Sequence, residues 1–278
     1  MTLTALITPF LNDFSIDWIS FEKLLILQLT SKIDGLVILA TTGETPTLTL
    51  EEENQIVTKT LELNIMLKAN KKIYIGVSDN STSRVVARIE SLNDLEFDGY
   101  LIASPSYNKP QQDGLCEHFL ACSRATHKNI MLYNVPGRSG VNILPQTVAK
   151  IVENTTNIRF IKEASGSVEQ IMDLLLLVKT QNLDLKVLSG DDSLTLPILS
   201  LGGAGVVSVL SNMLPNETAD LVNFYKENWQ KSQEIHFQLL SKMRDCFTQT
   251  NPVPIKNMLF NAGIISSNEV RLPLVKMN

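Results

Sequence analysis

Short apolar runs that alternate with longer amphipathic stretches set the strongest limit on what this chain can become. Runs near residues 3–8, 35–41, 72–78, 99–104, 129–135, 158–164, 185–190 and 205–211 are mostly Ile, Val and Leu. Such near-continuous apolar runs suit strands covered on both faces. Between them lie stretches with helical spacing at 19–30, 50–67, 82–95, 115–124, 145–152, 168–180 and 194–201. Several open on start signals: Ser81 or Thr82 as an N-cap, Leu144-Pro145 with proline entering the first turn, and Ser167 shortly before Glu169. Eight strand-then-helix units predict a parallel (β/α)8 TIM barrel. The alternative is a doubly wound open sheet, which normally has fewer strands and, in its nucleotide-binding form, a glycine-rich fingerprint after the first one. Here the first strand runs into Thr8-Pro9-Phe10, and Gly202-Gly203-Ala204-Gly205 precedes a strand, as a helix-to-strand turn does.

After about residue 216 the alternation stops. Residues 217–247 read as helical, 248–254 break the pattern, and 255–262 resume it. We therefore expect a catalytic barrel over 1–225 and a short helical appendage over 226–278. The net charge of −5 and a pI near 5.3 argue against nucleic acid, which usually demands a basic face. Cys116, Cys122 and Cys246 are odd in number and lack CxxC spacing, and His118, His127 and His236 form no ligand pair. A metal centre and a disulfide framework are thus not expected, and a reducing cytoplasm is. The amino terminus has no basic region and reads as a first strand, not a signal peptide. The apolar run 171–178 is too short to span a bilayer, so no membrane segment is expected.

Lys162 stands out within the run Ile158-Arg159-Phe160-Ile161-Lys162-Glu163-Ala164. Strand side chains alternate, so it shares a face with Ile158 and Phe160. An ammonium there is costly unless it is paired or gives up its proton, and a neutral lysine is a nucleophile that forms a Schiff base with a carbonyl. Taken alone, the segment better describes a lysine snorkelling at a strand end. The carboxyl ends of barrel strands form the active-site face, and the polar residues falling there are informative. They include Thr8, Thr41-Thr42-Gly43-Glu44, Ser104-Pro105-Ser106-Tyr107-Asn108, Tyr133, Arg138, Ser189-Gly190-Asp191-Asp192 and Ser208. Tyrosine and threonine hydroxyls can be linked into a proton relay, and Arg138 offers a fork suited to a carboxylate. Gly43 and Gly190 can bring backbone N–H groups close to a small ligand. Each has an ordinary structural use as well: core filling for Tyr133, turn capping for Thr41 and Thr42, surface charge for Arg138, and N-capping for Asp191-Asp192.

Together these residues resemble the dihydrodipicolinate synthase/N-acetylneuraminate lyase family of pyruvate-dependent class I aldolases, over nearly the whole chain. The likeness is carried by Thr41-Thr42-Gly43-Glu44, Ser104 to Pro110, Tyr133 to Gly140, Ile161 to Gly166, Leu188 to Asp192 and Gly202 to Val209, in that order. It implies that Lys162 forms the imine with pyruvate, and that no metal or other cofactor takes part. Thr42, Tyr133 and Tyr107 would form the relay, with Tyr107 reaching in from a neighbouring subunit of a tight dimer. Thr41 and Thr42 would hold the pyruvate carboxylate, Gly190 would lie against the substrate, and Val207 would offer its backbone carbonyl. Arg138 in its Tyr-Asn-Val-Pro-x-Arg context resembles the branch whose second substrate is aspartate semialdehyde, in a homodimer or homotetramer; the sugar-acid lyases are the rival branch, and a non-catalytic paralogue kept for binding or regulation is the alternative outside the enzymes. Two departures stand out. At the positions aligned with the lysine-binding residues of feedback-inhibited relatives lie Ser106, Arg84, Leu50 and Glu53, which implies weak or absent inhibition by lysine. The carboxyl-terminal helical region is shorter than the family's, which makes a tetramer less secure than a dimer.

Overall fold

A computed structural model describes residues 1–277. Eight parallel strands close into a barrel in the order β1 to β8. They are β1 (Thr2–Ala5), β2 (Gly35–Ile38), β3 (Lys72–Gly76), β4 (Gly99–Ala103), β5 (Asn129–Asn134), β6 (Ile158–Glu163), β7 (Lys186–Ser189) and β8 (Gly205–Ser208). All eight expected runs form strands, and each stops short of its expected carboxyl end. The intervening helices are α1 (Trp18–Leu29), α2 (Leu50–Met66), α3 (Thr82–Leu92), α4 (Gln112–Arg124), α5 (Pro136–Ser139), α6 (Pro145–Glu153), α7 (Val168–Thr180) and α8 (Thr195–Ser200). Then follow α9 (Pro215–Glu227), α10 (Trp229–Asp245) and α11 (Val253–Asn261).

The start signals act much as their chemistry demands. Ser167 accepts a hydrogen bond from the Gln170 amide, and Pro145 opens α6. Ser81 precedes α3, but its side chain makes no cap bond. Thr49 and Glu52 form a reciprocal capping box at α2. The long helical stretch expected after residue 216 is two helices: Asn228 ends α9 and accepts from the Lys231 amide to cap α10.

Contacts divide the chain into two units, residues 1–75 with 207–277 and residues 76–206. In the first, β1 and β2 pair as Leu3↔Gly35 to Ala5↔Val37, and β2 continues onto β3. Gly35 is obligatory, since a Cβ there would lie 2.1 Å from the Lys72 carbonyl oxygen. Buried Asn212 serves the backbone where β1 ends: it accepts from the Ile7 amide at 3.1 Å and donates to the Ala5 carbonyl at 2.8 Å. The carboxyl-terminal helices belong to this unit, with Ser232 of α10 donating to the Leu221 carbonyl of α9 at 2.6 Å.

In the second unit β4 pairs with β5 from Gly99↔Asn129 to Ala103↔Tyr133, and β6 with β7 from Phe160↔Lys186 to Glu163↔Ser189. Between β5 and β6 the register slips once, at Ile130/Met131, and recovers as Met131↔Phe160 to Asn134↔Glu163. The turn into β8 needs its glycines: Gly202 has φ of 101°, and a Cβ on Gly203 would lie 2.4 Å from Ile198 Cγ2.

Candidate active site

Within residues 76–206 the ends of β5 and β6 carry the chemistry. Tyr133 and Lys162 are register partners, and so are Asn134 and Glu163 one step further on. Because faces alternate, the two pairs point to opposite sides of the sheet. Lys162 is 4% exposed, so it does not snorkel to water from this chain. Its Nζ lies 4.3 Å from the centroid of the Tyr133 ring. Among the described residues it has no carboxylate partner. Gly190, after β7, seals the other flank: a Cβ there would come within 3.2 Å of Lys162 Cε and 2.6 Å of Ala164 Cβ. The Gly190 amide is spent on the Glu163 carbonyl at 2.8 Å. Gly190 thus makes room for the lysine and does not offer its N–H to a ligand, the task expected of it from sequence.

The other expected residues of this unit lie further out. Arg138 is exposed on the short helix α5 that follows β5. Tyr107 is 89% exposed and has φ of 73°, an unfavourable backbone for a residue with a Cβ. Its amide donates to the Ser139 carbonyl at 3.2 Å, and Asn108 donates to the Asn80 carbonyl at 2.8 Å. The Tyr107 backbone is therefore held while its ring points into solvent. Ser106 is exposed too, and Arg84 is folded onto Asp79 at 2.7 Å. Burial works against ionisation of Asp79, but the hydrogen bonds from Arg84 and the Ser81 amide hold its carboxyl below the usual range. Arg84 therefore spends much of its charge locally. Asp191 caps the short turn Asp192–Leu194, accepting from the Ser193 amide at 2.9 Å, which is its ordinary structural use.

In the other unit, Thr41 to Gly43 form a tight turn after β2, and Glu44 follows with φ of 54°. Thr8 donates to the Gly43 carbonyl at 2.8 Å. The two threonines differ: Thr41 is partly exposed, whereas Thr42 is buried and accepts from Asn251 Nδ2 at 2.9 Å. Val207 is fully buried on β8, and Leu50 is exposed at the start of α2. Sequence reasoning passed over the group that holds this turn. Lys256 of α11 is wholly buried, ion-paired to Glu44, donates to the Glu269 carbonyl at 2.9 Å and lies 4.0 Å from the Phe10 ring centroid. Burial pushes its ammonium down to about 8, with Glu44 pulling the other way. The Arg271 amide binds the second Glu44 oxygen at 2.9 Å, and its guanidinium binds Glu52. The hint was available: Val253-Pro254-Ile255-Lys256 sets a lysine in an apolar run, much as around Lys162.

A lysine buried at the end of a parallel-barrel strand, packed against a tyrosine and without a counter-ion among the described residues, is an arrangement suited to amine chemistry on a carbonyl compound. The model of the Dihydrodipicolinate synthetase family matches residues 1–278, and the chain belongs to that family. The 4-hydroxy-tetrahydrodipicolinate synthase of Thermotoga neapolitana is 41% identical over 273 residues, which cover 98% of this chain and 91% of that protein. The crystal structure of dihydrodipicolinate synthase from Thermotoga maritima superposes with a TM-score of 0.95 at 39% identity, covering 100% of this chain and 92% of that one. A structure described as the first monomeric dihydrodipicolinate synthase variant gives the same TM-score of 0.95 at 39% identity, over 100% of this chain and 91% of that one.

Proposed function

We propose that the chain is a Schiff-base-forming lyase, a 4-hydroxy-tetrahydrodipicolinate synthase that condenses pyruvate with L-aspartate 4-semialdehyde on the route to diaminopimelate and lysine. The observation that carries this reading is the Lys162 amine, buried against Tyr133 with no carboxylate beside it among the described residues, in a member of this family. The amine adds to the pyruvate C2 carbonyl, and loss of water leaves an iminium. That iminium draws electrons from the methyl group, whose proton leaves to a base, and an enamine results. The enamine carbon bonds to the aldehyde carbon of the second substrate. The substrate's own amine then attacks C2, closes the ring and frees Lys162. One water is lost overall, and the covalent imine serves as the electron sink, so the reaction needs no metal or nucleotide.

In this reading Tyr133, whose ring lies against the amine, passes protons. Thr42 and Tyr107 complete the relay in this reading, with Thr41 and Thr42 for the pyruvate carboxylate, Val207 for a backbone contact and Arg138 for the carboxylate of the aldehyde. The high exposure of Tyr107 on a strained, anchored backbone supports its donation to a neighbouring subunit in a homo-oligomer. Weak or absent inhibition by lysine belongs to the same reading and rests on Ser106, Leu50 and Glu53 more than on Arg84, whose charge is shared with Asp79. Among the described residues no helix is long and apolar enough to cross a membrane, which suits a cytoplasmic enzyme.

Borohydride reduction with pyruvate tests the proposal. A reduced pyruvyl adduct on Lys162, together with turnover of aspartate semialdehyde, is expected. An adduct that turns over N-acetylmannosamine or a sugar aldehyde instead would move the chain to the sugar-acid lyases. Absence of any adduct would overturn the mechanism.

A further inference from the structure

Behind the Lys162–Tyr133 pair lies a second pair with the opposite outlook. Glu163 is 2% exposed, and among the described residues its carboxyl is reached only by N–H donors: Asn134 Nδ2 at 3.0 and 3.3 Å, and the Ser165 amide at 2.7 Å. No cation reaches it among the described residues. The Asn134 amide cannot be turned round, because its Oδ1 accepts from the Ile143 amide at 2.9 Å. Its other N–H goes to Asn142 Oδ1 at 2.8 Å, and Asn142 is in turn locked to Gln170 at 2.6 and 3.2 Å. Every donor of Asn134 is therefore used and aimed.

This outer network sits where the ladder needs it. The register between β5 and β6 slips at Ile130/Met131, three residues before the end of the pairing. A bulge leaves the strand beyond it free to twist, and a small twist displaces side chains that must meet. Asn134↔Glu163 is the register pair next to Tyr133↔Lys162, so a tether on the outer face fixes how the inner pair faces each other. The Ala164 amide on the Asn134 carbonyl and the Gly190 amide on the Glu163 carbonyl, both at 2.8 Å, tie the same peptides to their neighbours.

We propose that Glu163, gripped by Asn134 and the Ser165 amide, is a positioning residue that holds the Lys162 amine against Tyr133 for imine formation. This rests on the reading of Lys162 given above. The test is the rate at which borohydride traps the pyruvyl adduct at saturating pyruvate, measured beside the thermal midpoint of each variant. Glu163→Gln sets an amide donor against the Asn134 donor, and slows trapping by about tenfold to a hundredfold while KM for pyruvate moves by less than about threefold. The double variant Asn134→Asp with Glu163→Gln reverses the polarity of the pair, since Asp accepts from Ile143 and from the new Gln; with the Asn142 and Gln170 amides turned round so that Asn142 Nδ2 donates to the Asp, it restores most of the rate. A purely structural pair would shift the midpoint and leave the trapping rate of folded protein unchanged. Gln170→Ala, at the part-exposed edge of the network, loosens Asn142 and is expected to slow trapping a few-fold at an unchanged midpoint, which keeps the test open even if the inner variants do not fold. Wild-type trapping rates in Gln170→Ala, or in folded Glu163→Gln, would overturn the proposal. So would a folded double variant that stays slow. An absence of adduct in the unaltered protein would strike the reading of Lys162 instead.

Discussion

Lys162 and Lys256 are both held out of water, one on a barrel strand and one on a carboxyl-terminal helix, yet the surroundings of their amines have little in common. Lys256 meets the Glu44 carboxylate, a backbone carbonyl and the face of Phe10, so its charge is matched on three sides. Lys162 meets the Tyr133 ring and, among the described residues, no carboxylate. Burial by itself therefore says little about chemistry. A fully paired lysine is a clamp, because extracting either partner strands a charge. A buried lysine lacking a carboxylate keeps its amine open, as the proposed imine chemistry requires. The carboxylate nearest Lys162 in sequence, Glu163, faces the other side of the strand and is given to Asn134.

The largest effects should separate the two. Lys162→Met removes the proposed nucleophile, and turnover should fall by about 10⁴-fold or more with little change in thermal midpoint. Lys256→Met leaves Glu44 buried without its cation, and denaturant titration should show a loss of about 3–5 kcal/mol. Folded Lys256→Met should still form the adduct on Lys162. A Lys256→Met protein that is stable but dead in the trapping assay would break the comparison, for it would make Lys256 part of the chemistry.

His118 shows a third outcome for a buried base and sharpens the contrast. It lies on α4, with Thr82 Oγ1 at 3.0 Å from Nδ1 and Cys122 Sγ at 3.9 Å from Nε2. Burial pushes its pKa down from 6.5 to about 4, so it sheds its charge where Lys256 keeps a partner. Above pH 6.5 the ring is neutral in both the folded and unfolded chain and contributes no pH dependence. Between pH 6.5 and about 4 the unfolded chain takes the proton and the folded one does not. Stability should therefore fall with pH across that window, by up to about 3 kcal/mol. A Glu or Asp titration would overlap only its lower end, so His118→Gln is the control. The stability gap between the original protein and this variant should narrow as pH drops from 7 towards 4, and a gap that stays constant would show that the ring is protonated when folded.

The barrel was legible because each strand is coded locally, by an apolar run bounded by turn residues. Lys162 was legible for a related reason, as a charge where an apolar side chain is expected. What could not be read was pairing across long separations. Glu44 and Lys256 are 212 residues apart, and nothing near either names the other. Glu163 and Asn134 stood inside the family-like motifs, but their partnership depends on a register that recovers after a slip at Ile130/Met131. The division of the Thr41-Thr42 pair into one partly exposed and one buried hydroxyl is also tertiary, set by Asn251. The helical pattern over 217–247 left the break between its helices unplaced, and a local signal marks it: Asn228, a good N-cap residue, starts a new helix in mid-run.

Asn251 provides the finest test, because it and Lys256 approach the same turn from the same carboxyl-terminal segment with different chemistry. Lys256 holds Glu44 through charge, whereas Asn251 holds Thr42 through one neutral hydrogen bond at 2.9 Å. A buried neutral bond has a modest net worth, and its loss mainly leaves an acceptor unsatisfied. Asn251→Ala should therefore cost about 1–2 kcal/mol in denaturant titration, well below the cost of Lys256→Met. Asn251→Asp keeps the shape but reverses the bond, so that the Thr42 hydroxyl must donate to it and is no longer available to a substrate. If Thr42 serves pyruvate as proposed, KM for pyruvate should rise in Asn251→Asp by more than in Asn251→Ala, where the hydroxyl remains free to donate. Equal KM values in the two variants would confine Asn251 to holding the turn, and a stability loss as large as that of Lys256→Met would show that the hydrogen bond, and not the ion pair, is the stronger grip on residues 41–44.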